Sequence, residues 1–484
     1  MHSATIMKPQ SLEEDSSAMK HVFYKPQVGW AGDFIPFYRD GAFQLFYLRD
    51  IRSPHGHFDG IPWFRVSTRD FVDFEDHGLM IAPGGYDEQD LCVYTGSAIE
   101  KDGRVYIFYT GHNPRMRSKG RPEQGVMVAV SGDDMKTFEK QSGCMFSPEG
   151  YEDHDWRDPF VWLEDGDGLY HMALAARADR GPATRRGVTA HLTSPDLVHW
   201  TTQPPLWAPE SYYTHECPDV FKIGEWYYLL FSEFTDSCRT RYVMSRSLQG
   251  PWVSPADDVF DTRAFYAAKT ATDGKARYLF GWNPTRVDGD DAKDFHWGGN
   301  LVVHELFQRE DGSLGVREPD SIRAAWGGGE PARFGGKNSV SLACPDRMAT
   351  AFLDGPCPQR FRLELDVTFA DRTRMFGLML RADQYADTAY GFKFYPASSR
   401  LAFDALPEPT WNSLKTRGLD RLLPMKPDAP IHLSLIVDGT MATLYADGQA
   451  ALTTRMYNYK GQSLGLFAQH GAARFENIRI STDF

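Results

Sequence analysis

Gly41-Ala42-Phe43-Gln44-Leu45-Phe46-Tyr47 opens a pattern that the chain repeats four more times: a glycine, a short spacer, then a run of aromatic and aliphatic residues. The later copies are Gly103-Arg104-Val105-Tyr106-Ile107-Phe108-Tyr109, Gly168-Leu169-Tyr170-His171-Met172-Ala173-Leu174, Gly224-Glu225-Trp226-Tyr227-Tyr228-Leu229-Leu230-Phe231 and Gly274-Lys275-Ala276-Arg277-Tyr278-Leu279-Phe280. Their starts lie 62, 65, 56 and 50 residues apart. A turn glycine ahead of a short buried strand is the pattern of an inner strand in a propeller blade, so five copies predict five blades. An irregular β-sandwich in which such runs recur by chance is the competing reading, and five coordinated copies count against it.

A second element follows the first three copies: Ser67-Thr68-Arg69-Asp70-Phe71-Val72-Asp73-Phe74, Ser131-Gly132-Asp133-Asp134-Met135-Lys136-Thr137-Phe138 and Ser194-Pro195-Asp196-Leu197-Val198-His199-Trp200. In each an Asp sits four residues before an aromatic residue: Asp70 before Phe74, Asp134 before Phe138 and Asp196 before Trp200. Ser and Asp side chains bond local amides in turns, so this element reads as an outer-strand turn whose aromatic residue packs between blades. Near residue 325 the repeat gives way to the Gly-rich junction Trp326-Gly327-Gly328-Gly329, and period-two segments such as Phe361–Val367 and Ile431–Val437 follow, with turns at Asp438-Gly439 and Asp447-Gly448. The expected architecture is all-β: a five-bladed β-propeller over 21–325, then a lectin-like β-sandwich over 326–484, with 1–20 as a flexible leader.

Composition supports this. Aromatic residues make up 14% of the chain and Gly plus Pro number 43 and 30, a balance that favours short strands and turns. A formal charge of −13, with no basic cluster interleaved with aromatics, argues against nucleic acid or an anionic membrane as partner. No apolar run of about 18 residues suggests a membrane span. Six scattered cysteines without CxxC spacing, and an N-terminus lacking basic and apolar signal regions, fit reduced thiols in a cytoplasmic enzyme. A small carbohydrate suits such a protein as ligand.

Three carboxylates stand shortly before or within the repeated strands: Asp33 in Trp30-Ala31-Gly32-Asp33, Asp158 in Trp156-Arg157-Asp158-Pro159, and Glu216 in His215-Glu216-Cys217-Pro218-Asp219. Glycosidic cleavage needs one carboxyl to protonate the leaving oxygen and a second to attack the anomeric carbon or activate water. Asp33 is the candidate nucleophile, Glu216 the candidate acid/base, and Asp158 a candidate acceptor for sugar hydroxyls. An Asp before a strand is most often a turn residue; equivalent placement in three blades is what singles these out.

At these motifs the chain resembles the glycoside hydrolase family 32 β-fructofuranosidases, a five-bladed propeller followed by a β-sandwich. The family's Arg-Asp-Pro stands as Arg157-Asp158-Pro159, its Glu-Cys-Pro as Glu216-Cys217-Pro218, and its Ser-Gly-Ser element within Tyr94-Thr95-Gly96-Ser97. The resemblance implies a retaining double displacement with Asp33 as nucleophile, Glu216 as acid/base and Asp158 as transition-state stabiliser, without metal or cofactor. The family's Trp-x-Asn-Asp-Pro-Asn-Gly is here Trp30-Ala31-Gly32-Asp33-Phe34-Ile35-Pro36, so both amide side chains are missing and Phe34 and Ile35 predict a less polar pocket floor. Trp30, Asp90, Ser97, Arg157, His215 and Trp297 are the candidate substrate-binding residues, with His55, His57 and Asp59 on the expected rim. Asp165-Gly166-Asp167-Gly168 mimics the start of a calcium loop but has Ala176 where a bidentate Glu is needed, and reads as a hairpin. Another furanoside, fructosyl transfer, or sugar binding without turnover remain open alternatives at this level.

Overall fold

The structure, a computed structural model, describes residues 20–54, 56–383, 387–406 and 415–484. The expected leader, apart from Lys20, and His55 lie outside the described residues, as does the His57 side chain. Five small antiparallel groups of strands follow one another from Trp30 to Arg317, the first and last joined by the pairing of Ala31 with Gly299, and their first strands, Trp30–Arg39, Cys92–Lys101, Tyr151–Leu163, Glu216–Ile223 and Tyr266–Thr272, touch one another in a closed ring. Those are the innermost strands of five propeller blades.

The repeated Gly-aromatic runs therefore occupy a different place from the one the sequence suggests. They form the second strand of each blade, Ala42–Asp50, Arg104–His112, Tyr170–Ala178, Trp226–Glu233 and Arg277–Arg286, each hydrogen-bonded to the innermost strand before it. The five glycines sit in the hairpins between first and second strands, all with φ between 58° and 85°, a region that costs a Cβ-bearing residue strain. The runs are largely apolar because a second strand buries both faces. In blade one, Phe43, Leu45 and Tyr47 point into the core shared with blade five, while Phe46 and Leu48 point into the core shared with blade two. Innermost strands read less clearly because their axial ends are polar.

Blades one, two, three and five have four strands; blade four has three, with its edge extended by the pairing of Met244 with Val253 and Arg241 with Val259. The Ser/Asp elements are the outer turns expected. Thr68, Ser131 and Ser194 accept the backbone N–H of Phe71, Met135 and Leu197, and Asp196 accepts those of Val198 and His199. Their aromatics cross to neighbouring blades, Phe138 edge-on to Phe46 and Trp200 edge-on to Phe108.

A short helix, Asp320–Ala325, leads into the second half, whose strands join through the long strand Ser463–Ser481. Its first part pairs with Met375–Ala382 and its second part with Arg360–Phe369, the change falling at His470 and Gly471. One strand thus serves both sheets of a β-sandwich. The sandwich docks on the propeller through buried polar groups: His304 bonds Asp261 at 3.0 Å and the Tyr445 hydroxyl at 2.9 Å, and the Arg362 guanidinium pairs with Glu318 at 2.8 Å. Such paired charges fix the register between the two halves, since separating them would leave charges buried and unpaired.

Candidate active site

Each innermost strand carries an irregularity, near its start in blades one, two, four and five and past its middle in blade three. The ladder shifts between Gly32 and Ile35, between Tyr94 and Gly96, opposite Ala173 and Ala175 in blade three, between Glu216 and Asp219, and between Tyr266 and Lys269. Positive φ values accompany four of them, at Asp33 (44°), Asp158 (57°), Cys217 (50°) and Ala267 (51°). A bulge at the same level of every blade turns side chains that would pack between blades toward the axis. Asp33, Thr95, Asp158, Glu216 and Tyr266 all lie at this level.

Hydrogen bonds link these positions through all five blades. Asp33 of blade one accepts from the Thr95 hydroxyl of blade two at 2.5 Å (Oδ2) and from the Trp282 indole of blade five at 2.9 Å (Oδ1). In blade two, Thr110 Oγ1 accepts the Asp158 amide at 2.8 Å, and Asp158 Oδ2 accepts the Cys217 amide of blade four at 2.9 Å. Glu216 accepts from the Arg157 guanidinium of blade three at 3.0 Å (Oε1) and from the Tyr266 hydroxyl of blade five at 2.5 Å (Oε2). Three carboxylates remote in sequence are thereby held together with every donor supplied by a neighbouring blade.

Electrostatics follow from this crowding. Burial pushes the Asp33 carboxyl up to about 7, Asp158 and Glu216 push the same way, and the Thr95 and Trp282 hydrogen bonds pull it down. Burial lowers and the Glu216 and Asp158 charges raise the Arg157 guanidinium, which ends above its ordinary value and stays protonated. Arg157 also pairs with Asp155. Burial, then the Glu216 charge, raises the Tyr266 phenol well above its usual range, so it acts only as a donor to Glu216.

The other expected contact residues are spread more widely. His215 is fully buried behind Glu216, stacked on Trp207 at 4.8 Å with Nδ1 3.0 Å from the Thr189 hydroxyl, and burial lowers its pKa to about 3, so it is neutral. Ser97 is buried and accepts the Val161 amide at 2.9 Å, a strut between blades two and three. Asp90 is buried against the Tyr109 hydroxyl at 2.9 Å and Lys140 at 2.5 Å. Trp297 lies beside Trp282, ring centroids 5.6 Å apart, and covers Gly32. Trp30 borders a cleft at the seam between propeller and sandwich.

One expectation is corrected. Phe34 and Ile35 do not form a pocket floor: they are 0% and 1% exposed, Phe34 packed on Tyr47 and Ile35 in the core between blades one and two. The bulge at Asp33 sends both into the blade interfaces. The change at Gly32 has a separate cause, because a Cβ there would lie 2.5 Å from Cζ2 of Trp297. The indole fills the space that a side chain at Gly32 would need.

Thr95, Trp282 and Tyr266 were not singled out by sequence. Thr95 lies inside a quoted motif, but Trp282 and Tyr266 belong to no motif; only the alignment of the five bulges reveals them. Among the described residues no three His, Cys, Asp or Glu side chains are grouped to hold a metal, and Asp167 instead closes a hairpin by accepting the Leu169 amide. All six cysteines are free.

The chain belongs to glycosyl hydrolase family 32: residues 23–314 match the model of the family's N-terminal domain and 343–482 that of its C-terminal domain. It is 27% identical to a raffinose invertase of Escherichia coli over 93% of this chain and 91% of that one, and 24% identical to an Escherichia coli sucrose-6-phosphate hydrolase over 94% and 92%. Solved structures of the same fold include a sucrose-6-phosphate hydrolase from Lactobacillus gasseri (TM-score 0.73, 19% identity, 97% of this chain and 94% of that one) and fructan 1-exohydrolase IIa from Cichorium intybus (0.72, 17%, 97% and 99%). The protein is a glycoside hydrolase.

Proposed function

We propose that this enzyme hydrolyses terminal β-D-fructofuranosyl linkages in sucrose-like or short fructo-oligosaccharides, with retention, through a covalent fructosyl-enzyme. The observation that carries the reading is the convergence of Asp33, Asp158 and Glu216 on one hydrogen-bonded ring in a family 32 chain. Glu216 protonates the glycosidic oxygen while Asp33 attacks the anomeric carbon; Glu216 then takes a proton from the water that releases fructose. Arg157 and Tyr266 stabilise the Glu216 carboxylate formed when its proton leaves. Asp158 accepts hydrogen bonds from fructose hydroxyls, which strengthen as the ring gains oxocarbenium character.

Residues 21–325 form the catalytic half in this reading and 326–484 support it, in a cytoplasmic enzyme. Names of the relatives, a raffinose invertase and several sucrose-6-phosphate hydrolases, support fructosides over other furanosides. The test is sugar release from sucrose, sucrose 6-phosphate, 1-kestose and levanbiose by wild type, Asp33→Asn and Glu216→Gln. Fructose released by wild type alone is the expected outcome; release of no fructose from any of the four contradicts the proposal.

A further inference from the structure

Three cations crowd the indole of Trp30, the first residue of the strand that carries Asp33. Lys25 Nζ lies 5.1 Å from the ring centroid, Arg52 Cζ 4.8 Å and Arg455 Cζ 5.9 Å. Trp30, Lys25 and Arg455 line a cleft of about 300 Å³ on the seam between propeller and sandwich, with Arg360 at its edge. In a chain of net charge −13 this concentration of positive charge calls for a reason.

The side-chain hydrogen-bond partners of Arg52 and Arg455 are neutral, although the Asp50 charge acts on Arg52. Arg455, 6% exposed, donates to the carbonyls of Pro284 (2.8 Å) and Asn283 (3.1 Å), to Asn300 Oδ1 (2.5 Å) and to the Thr440 hydroxyl (3.3 Å). Arg52 donates to the Thr285 hydroxyl at 2.5 Å and the Trp297 carbonyl at 3.1 Å, while neighbouring Asp50 accepts its backbone amide instead. Among the described residues, no carboxylate forms an ion pair with Lys25, Arg52 or Arg455. Asp438, the acid lining the cleft, is bound to Arg360 at 3.0 Å. A buried guanidinium with no counter-charge is costly, and a second one nearby adds to the cost. Burial, and then the Arg52 charge, lowers the Arg455 pKa accordingly, against the opposing influence of Tyr457.

We propose that this seam cleft is a binding site for a phosphate monoester or free phosphate, held by Lys25 and Arg455 with Trp30 as an apolar wall. The Lys25 ammonium and the one Nη1 hydrogen of Arg455 not donated to Thr440 supply donors, a dianion offsets the Lys25 and Arg455 charges, and an indole face suits a sugar ring attached to that phosphate. Neither a neutral sugar nor a cation would relieve the charge. The inference does not depend on the hydrolytic reading, because binding itself is measured.

Isothermal titration calorimetry of the full chain with inorganic phosphate, glucose 6-phosphate and glucose tests it, alongside Lys25→Glu, an exposed position whose replacement leaves the core untouched. One site is expected for both phosphates and none for glucose, with Lys25→Glu weakening binding at least roughly tenfold. Glucose 6-phosphate binding more tightly than inorganic phosphate assigns the site to phosphorylated sugars; equal affinities assign it to free phosphate. Absence of phosphate binding at about 10 mM, or equal binding by Lys25→Glu, overturns the proposal.

Discussion

Replacing Asp33 with Asn is expected to abolish hydrolysis while stabilising the fold, more so at alkaline than at acid pH. Burial, helped by Asp158 and Glu216, raises this carboxyl from 3.8 to about 7. Between those values the native state keeps a proton that the unfolded chain has lost, so the group's contribution to stability falls as pH rises through that window. At 1.36 kcal/mol for each pH unit across the gap, the raised carboxyl costs the fold about 1.5 kcal/mol at pH 5, where the native group must hold a proton that the unfolded chain has released, and about 4 kcal/mol at pH 8, where it is ionised in both states. Asn carries no charge at either pH; its Oδ1 still accepts from Trp282, and its amide can donate to the Thr95 hydroxyl. The variant should therefore gain about 2.5 kcal/mol more over wild type at pH 8 than at pH 5. Thermal unfolding of both proteins at the two pH values measures the gain, expected as a Tm difference that widens by roughly 2–3 °C for a chain of 484 residues. A difference that stays constant from pH 5 to pH 8 would refute the reasoning, since Asp33 would then ionise without strain.

Three further substitutions probe the ring. Thr95→Val removes a donor to ionised Asp33 and should move the acid limb of kcat/KM upward by about 1–2 pH units, because a hydrogen bond to a charged group is worth about 1.5–3 kcal/mol; an unmoved limb dissociates Thr95 from the titration of Asp33. Tyr266→Phe deletes the donor to Glu216 Oε2 and should lower kcat roughly 10- to 100-fold with little change in Tm, read from initial rates on sucrose. Gly32→Ala drives a Cβ into Trp297 and should cost at least roughly tenfold in kcat/KM, with partial recovery in the double variant Gly32→Ala/Trp297→Ala; additive losses would show that the two positions do not interact.

Legibility of this protein in its sequence followed burial. Second strands announce themselves because both faces pack into apolar cores, which is why Phe43 through Leu48 read as a hydrophobic run interrupted only at Gln44. Innermost strands were harder to see, since their axial ends carry Asp33, Asp158 and Glu216 and their ladders are broken by bulges. That is why the Gly-aromatic runs were assigned one strand too far inward. Asp33, Asp158, Glu216 and Arg157 were visible through motifs. Trp282 and Tyr266 were not, because each donates to a carboxylate in another blade and no local pattern marks such a partner. Phe34 and Ile35 misled for the same reason: the positive φ at Asp33 reverses the simple alternation of side chains, and nothing nearby in the sequence signals it.

The most direct test of the double displacement is the stereochemistry of transfer to methanol. Wild-type enzyme incubated with sucrose in aqueous methanol, followed by NMR, should yield methyl β-D-fructofuranoside, the anomer retained from the substrate, and Asp33→Asn should yield none. Formation of the α anomer would mean a single inverting displacement by methanol itself, and would contradict the role given to Asp33.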